Sequence, residues 1–181
     1  SLSQLNYEYD DIQLAPTPLM ESALAKRFAK LGISTENFSL ENAMDFGSNT
    51  ELIGANQKAI QLKSSGVKAN IKLSNKPFNA IRKSLTEASV SQIPDQIYLQ
   101  IENVTGGMDA NLLSVSINEK SVGDISLFGL RNASKKDGHH GGEGLTFILN
   151  ITDVFDDLHI HNALDIDALD VEILPKNNIP D

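Results

Sequence analysis

From Val67 onward the chain alternates apolar and polar residues with a period of two, the mark of half-buried strands. Val67, Ala69, Ile71 and Leu73 alternate with Lys68, Asn70 and Lys72. The same rhythm returns at Ile97, Leu99 and Ile101, at Leu113, Val115 and Ile117, and at Ile125 and Leu127. It returns again at Leu145, Phe147, Leu149 and Ile151, and last at Leu169, Val171 and Ile173. Turn-forming stretches separate these segments: Thr105–Asp109, Asn118–Asp124 and the glycine-rich run after Asp137. Such spacing predicts an all-β domain, an antiparallel β-sandwich of jelly-roll-like character.

Two shorter patterns have helical period. Met20, Leu24, Phe28 and Leu31 form one stripe between Pro18, suited to a first helical position, and Gly32, suited to a stop. Thr17 stands where an N-cap would. Phe78, Ile81 and Leu85 predict a helical crossing between strands, and "ITDVFDDL" predicts a strand end followed by a short helix capped by Thr152 or Asp153. The resulting division is a helical linker over 1–50, a sandwich over 51–176 and a tail over 177–181.

Composition narrows the function. A chain of 181 residues with 40% hydrophobic and 22% charged residues is ordinary globular material. The absence of cysteine excludes disulfides, thiolate metal sites and a cysteine nucleophile. A net charge of −9 argues against a nucleic-acid partner. No apolar run approaches the ~20 residues of a membrane span, and no targeting segment precedes the linker, so a soluble chain is expected.

Candidate chemistry is sparse. "GHHGGEG" lacks the Gly-Lys-Ser/Thr of a phosphate loop and leads into a strand rather than a helix. No Gly-x-Ser-x-Gly elbow is present. Four Asn-x-Ser/Thr sequons occur, at Asn37, Asn103, Asn132 and Asn150, the last inside a predicted strand. The four histidines form two pairs: His139 with His140, and His159 with His161, the latter spaced for one face of an extended segment. Imidazole pairs of this kind can hold copper or zinc, so a copper-holding or copper-delivery module stays open beside exposed loop histidines. A free-standing carbohydrate-binding or adhesive sandwich would want a row of exposed aromatics, and the chain has no Trp and three Tyr.

Several blocks in order resemble the region that follows the catalytic domain in tyrosinases and polyphenol oxidases. "NYEYDD", with Tyr7 and Tyr9, resembles the Tyr-x-Tyr motif closing that catalytic domain, which implies that the 1–50 segment holds the end of the catalytic domain as well as the linker. "ELIGANQKAIQL" and "IYLQIENVTG" resemble the opening of the C-terminal domain and its first well-marked strand. "GDISLFGLRNAS", "DGHHGGEGLTFILNITDVFDDL" and "LDIDALDVEI" resemble its core, and also the C-terminal β-domain of molluscan haemocyanin units.

The resemblance implies a non-catalytic domain, without a cofactor of its own, that covers the entrance of a dicopper phenol oxidase and keeps it latent. Its partner would be its own tyrosinase catalytic domain, which carries the six copper-ligating histidines on a helical bundle. The haemocyanin domain sets a leucine from a Leu-Gly turn over its copper site, and the matching position here is Phe128, followed by Gly129. Phe128 is thereby the expected plug. Ile125 and Leu127 set the inward phase, so Phe128 falls on the outward one; the alternative is a core position in its strand. The Cys-x-x-Cys plug of some fungal members is excluded here by composition.

Overall fold

The computed structural model describes residues 18–34, 50–56, 58–89, 92–107, 111–137 and 141–177, with only the backbone for 18–21. The chain divides into two compact units, Ser1–Gly47 with Ala88–Ile93, and Ser48–Glu87 with Pro94–Asp181.

In the first unit α1 spans Pro18–Lys30. Its stripe buries Leu24 and Phe28. Gly32 ends it at φ +72. The Ile33 amide reaches back to the Phe28 carbonyl at 2.9 Å and the Gly32 amide to Ala29 at 3.2 Å. That crossed pair is a Schellman motif, and the left-handed position it needs is why glycine stands there.

The second unit is an all-β sandwich of antiparallel strands. In chain order it runs β1 (Gly54–Ala55), β2 (Val67–Leu73), α2 (Asn75–Thr86), β3 (Tyr98–Val104), β4 (Leu112–Ile117) and β5 (Lys120–Ser126). There follow α3 (Leu130–Ala133), β6 (Leu145–Asn150), α4 (Thr152–Ile160) and β7 (Ala168–Pro175). One sheet has the order β1-β2-β7-β4-β5, and the other pairs β3 with β6. The last strand therefore lies in the middle of the larger sheet. Register sets Val171 between Ala69 and Ile117, so three apolar residues abut on the inner face.

The alternation seen in the sequence becomes the inner face directly: Leu113, Val115, Ile117, Ile125, Leu169 and Val171 are all buried. Ile97 and Leu99 supply the smaller sheet's share, and the helices add Phe78, Ile81 and Leu85 from α2 and Val154 and Phe155 from α4. Phe78 and Phe155 meet edge to face, with centroids 6.2 Å apart, a favoured ring geometry. The Arg82 guanidinium lies 4.8 Å above the Phe78 ring and its terminal nitrogen donates to the Leu164 carbonyl, closing the loop after α4.

Three local expectations change. The stretch Asn118–Asp124 is not one long turn: β4 and β5 are joined by Asn118 and Glu119 alone, both at positive φ, +48 and +69. Two left-handed residues make the tight turn whose twist matches a hairpin, and the remaining residues belong to β5, with a register irregularity at Val115/Ser116. The helix α4 begins at Thr152 with Ile151 as its N-cap. Neither Thr152 nor Asp153 caps it, because the Asn150 side chain accepts the Thr152 amide at 2.9 Å while the Thr152 hydroxyl turns inward to the Ile97 backbone. The short α3 had no periodic signal, being a single turn.

Candidate functional site

The site grows out of the end of β5. Ile125 and Leu127 are buried, at 5% and 6% exposure, whereas Phe128 between Leu127 and Gly129 is 85% exposed. A phenylalanine that open gains nothing from its own fold, since apolar burial is what a ring contributes to stability. The core alternative for Phe128 is thereby overturned. Gly129 follows at φ +82 with nothing within 4 Å of where a Cβ would stand. It is there for the backbone turn and not for close packing.

The turn is braced. The Leu127 amide donates to the Asn111 carbonyl and the Leu130 amide to Leu127, each at 3.0 Å. Leu130 and Ala133 of α3 are buried, at 3% and 2% exposure, so α3 is anchored on the core just beyond Phe128. From the other side, Gly106 donates its amide to the Ser134 hydroxyl at 2.9 Å, and that hydroxyl donates to the Leu130 carbonyl at 2.7 Å. The Arg131 Nε donates to the Gly107 carbonyl at 3.0 Å. An exposed ring is thus held on a turn whose neighbours on both sides are fixed.

The glycine-rich run leads into β6 as a loop. Gly141, Gly142 and Gly144 have φ of +59, +81 and +82. At Gly144 a Cβ would stand 2.2 Å from the Val104 carbonyl oxygen; the backbone of β3 occupies that space. These glycines serve turns and close approach. His139 and His140 lie outside the described residues, as do Tyr7 and Tyr9.

His159 and His161 do not form a pair. A shared face at that spacing requires an extended segment, but His159 sits in the last turn of α4 and His161 is its C-cap. Residues two apart on a helix do not face each other. His161 lines one cavity, of about 220 Å³, with Ile117, Val154 and Leu158, and its Nδ1 donates to the Asp157 carbonyl at 2.7 Å. His159 lines another, of about 300 Å³, with Arg82 and Thr86. Among the described residues no group of three or more His, Cys, Asp or Glu side chains converges on one point.

A family model described as a domain of unknown function, DUF7868, matches residues 49–181. The chain belongs to that family. No curated protein matches it. In this DUF7868 chain the match begins within two residues of Glu51 and takes in the whole sandwich, with the Phe128 turn inside it.

Two features of the site had no signal in the periodicity. One is the hydrogen-bonded bracing by Asn111, Gly106 and Ser134, which joins residues far apart in sequence. The other is a group of cations after the knob: Arg131, Lys135 and Lys136, all exposed, in a chain of net charge −9. The pair Lys135–Lys136 was visible in the sequence, but only its place beside an exposed ring gives it meaning. Also toward this end, Lys176 donates to Asp124 at 2.5 Å, and the exposed Leu112 lies opposite Ser126 on the outer face of the large sheet. No described helix is long and apolar enough to cross a membrane.

Proposed function

We propose that this chain is the non-catalytic C-terminal domain of a tyrosinase-type dicopper phenol oxidase, that it covers the active-site entrance, and that Phe128 is the plug. The observation that carries the reading is the 85% exposure of Phe128 on a turn fixed from both sides. A benzyl group is a fair imitation of a phenol substrate's ring. Carried on a braced backbone, it loses little main-chain freedom on entering a preformed apolar pocket.

Tethering multiplies this. A domain joined by a short linker meets its catalytic partner at an effective concentration on the order of millimolar, so a contact of low intrinsic affinity holds the entrance shut. The copper pair in the partner supplies the oxidising chemistry when bound there. This chain contributes occlusion: it places an apolar ring where a phenol would go and keeps bulk water and substrate from the opening.

The test is catechol oxidation by the separately produced catalytic region, titrated with this chain and then with Phe128→Ala. Dose-dependent inhibition that falls at least about tenfold in the variant is the expected result, the loss of one buried aromatic contact being worth roughly that much. Inhibition indifferent to the substitution removes Phe128 as plug, and no inhibition by the unmodified chain removes the shielding role.

A further inference from the structure

The other end of the same hairpin carries the complement of the Phe128 knob. The cavity of about 220 Å³ has an apolar floor of Ile117, Val154 and Leu158. On its rim the Lys120 ammonium pairs with Asp157 and also donates to the Asp153 carbonyl at 3.3 Å. Asp157 belongs to that lining, and the exposed Asp153 and Glu119 adjoin the lining residues Val154 and Lys120 in the chain, on the first turn of α4 and at the hairpin tip. These three acids outweigh Lys120.

At the knob end the balance is reversed. Arg131, Lys135 and Lys136 follow Phe128 within eight residues and outnumber Asp137 and the exposed Glu143, whose neighbour Gly142 lies against Lys136. An enclosed apolar cavity of about 150 Å³ takes up benzene; the depression beside α4 is open to solvent, and its volume of about 220 Å³ matches a ring inserted from outside. The two features cannot meet within one molecule. β4 runs six residues from the knob end to the cavity end, about 20 Å at the rise of a strand.

We infer that the occupant of the cavity is Phe128 of a second copy of this chain, in a head-to-tail contact in which Arg131, Lys135 and Lys136 face Glu119, Asp153 and Asp157. Such a contact is heterologous: each copy offers one knob and one hole, so association continues beyond the dimer unless the rotation closes a ring. A single aromatic anchor buries about 150–250 Å², well short of the ~1,200 Å² of a lasting interface. The contact is therefore weak, formed at high concentration and relaxed by salt. This inference is independent of the shielding reading, because its test contains no catalytic region.

The experiment is sedimentation velocity with amide and methyl NMR on the full chain, from about 50 µM to about 1 mM. The expected result is a weight-average mass that rises with concentration, with concordant shifts at Gly129 and at Val154 and Leu158. Raising NaCl from about 50 to about 500 mM should weaken association several-fold. Phe128→Ala and, separately, Leu158→Lys should each abolish it, while their one-to-one mixture should recover a dimer and nothing larger, since only one knob and one hole remain usable. Should Leu158→Lys fail to fold, the double reversal Glu119→Lys with Asp153→Lys, at two exposed positions, takes its place. A mass unchanged up to about 1 mM overturns the inference, as does association that survives Phe128→Ala. Binding of the knob end to anionic vesicles without any self-association would overturn it in favour of a lipid surface.

Discussion

Gly129 and Gly144 share a φ of +82 but answer to different constraints. At Gly129 a Cβ meets nothing within 4 Å, so alanine there costs only the left-handed strain of about 1–2 kcal/mol, roughly 2–8 °C in Tm. At Gly144 the same Cβ strikes the Val104 carbonyl at 2.2 Å, and the overpacking adds about 1–3 kcal/mol to the strain. Calorimetry of the two alanine variants should show the larger loss at Gly144, and the reverse order would refute this account. Phe128→Ala should leave stability within about 0.5 kcal/mol of the parent, as an exposed substitution does, so its effects on binding can be read without correction for unfolding. The outward phase of Phe128 was legible from Ile125 and Leu127. What lay hidden was the bracing, because nothing in the sequence announces that Gly106 will meet a hydroxyl at Ser134.

Among the elements, α4 departs furthest from its sequence pattern. "HIH" looks like extended alternation, yet tertiary packing of Val154 and Phe155 carries the helix through His159 and separates the two imidazoles. Phe155 is fully buried and stands edge-on to Phe78. Phe155→Ala should therefore cost about 3–5 kcal/mol, checked by denaturant unfolding; a loss under about 1 kcal/mol would mean α4 does not hold the core. The hairpin β4–β5 and the end of β7 are joined differently, by charge. The hydrogen bond from Lys176 holds the Asp124 carboxyl below its usual value, assisted by the lysine's charge and by Ser114 and opposed by partial desolvation. A carboxyl whose folded pKa is depressed adds stability above its unfolded value, about 3.9, and loses it as pH falls through the folded value. Asp124→Asn should thus lower Tm at neutral pH and converge with the parent in acid, once the pH has fallen below the depressed folded value. A gap that widens on acidification would contradict the assignment.

At the scale of the molecule, the strand alternation and the two internal helical stripes were legible, and with them the sandwich. Sheet order was not, because register depends on which apolar faces meet and not on where they fall in the chain. That order makes β7 central, paired with β2 on one side and β4 on the other. Hydrogen exchange should accordingly find the slowest amides at Val171 and its neighbours in β4, and the fastest at the two-residue β1; comparable protection across the sheet would argue against this pairing. The position of β7 also sets a clock for biosynthesis. The larger sheet has a gap at its middle until residues 168–175 have been made and have cleared the ribosome, and until then β2 and β4 each present an unsatisfied edge. Nascent chains of this domain must wait, aggregation-prone, for β7, which is made well after its neighbours β2 and β4, so a stall or a stop codon before Ala168 should yield a product for chaperones and proteases and not a shortened domain.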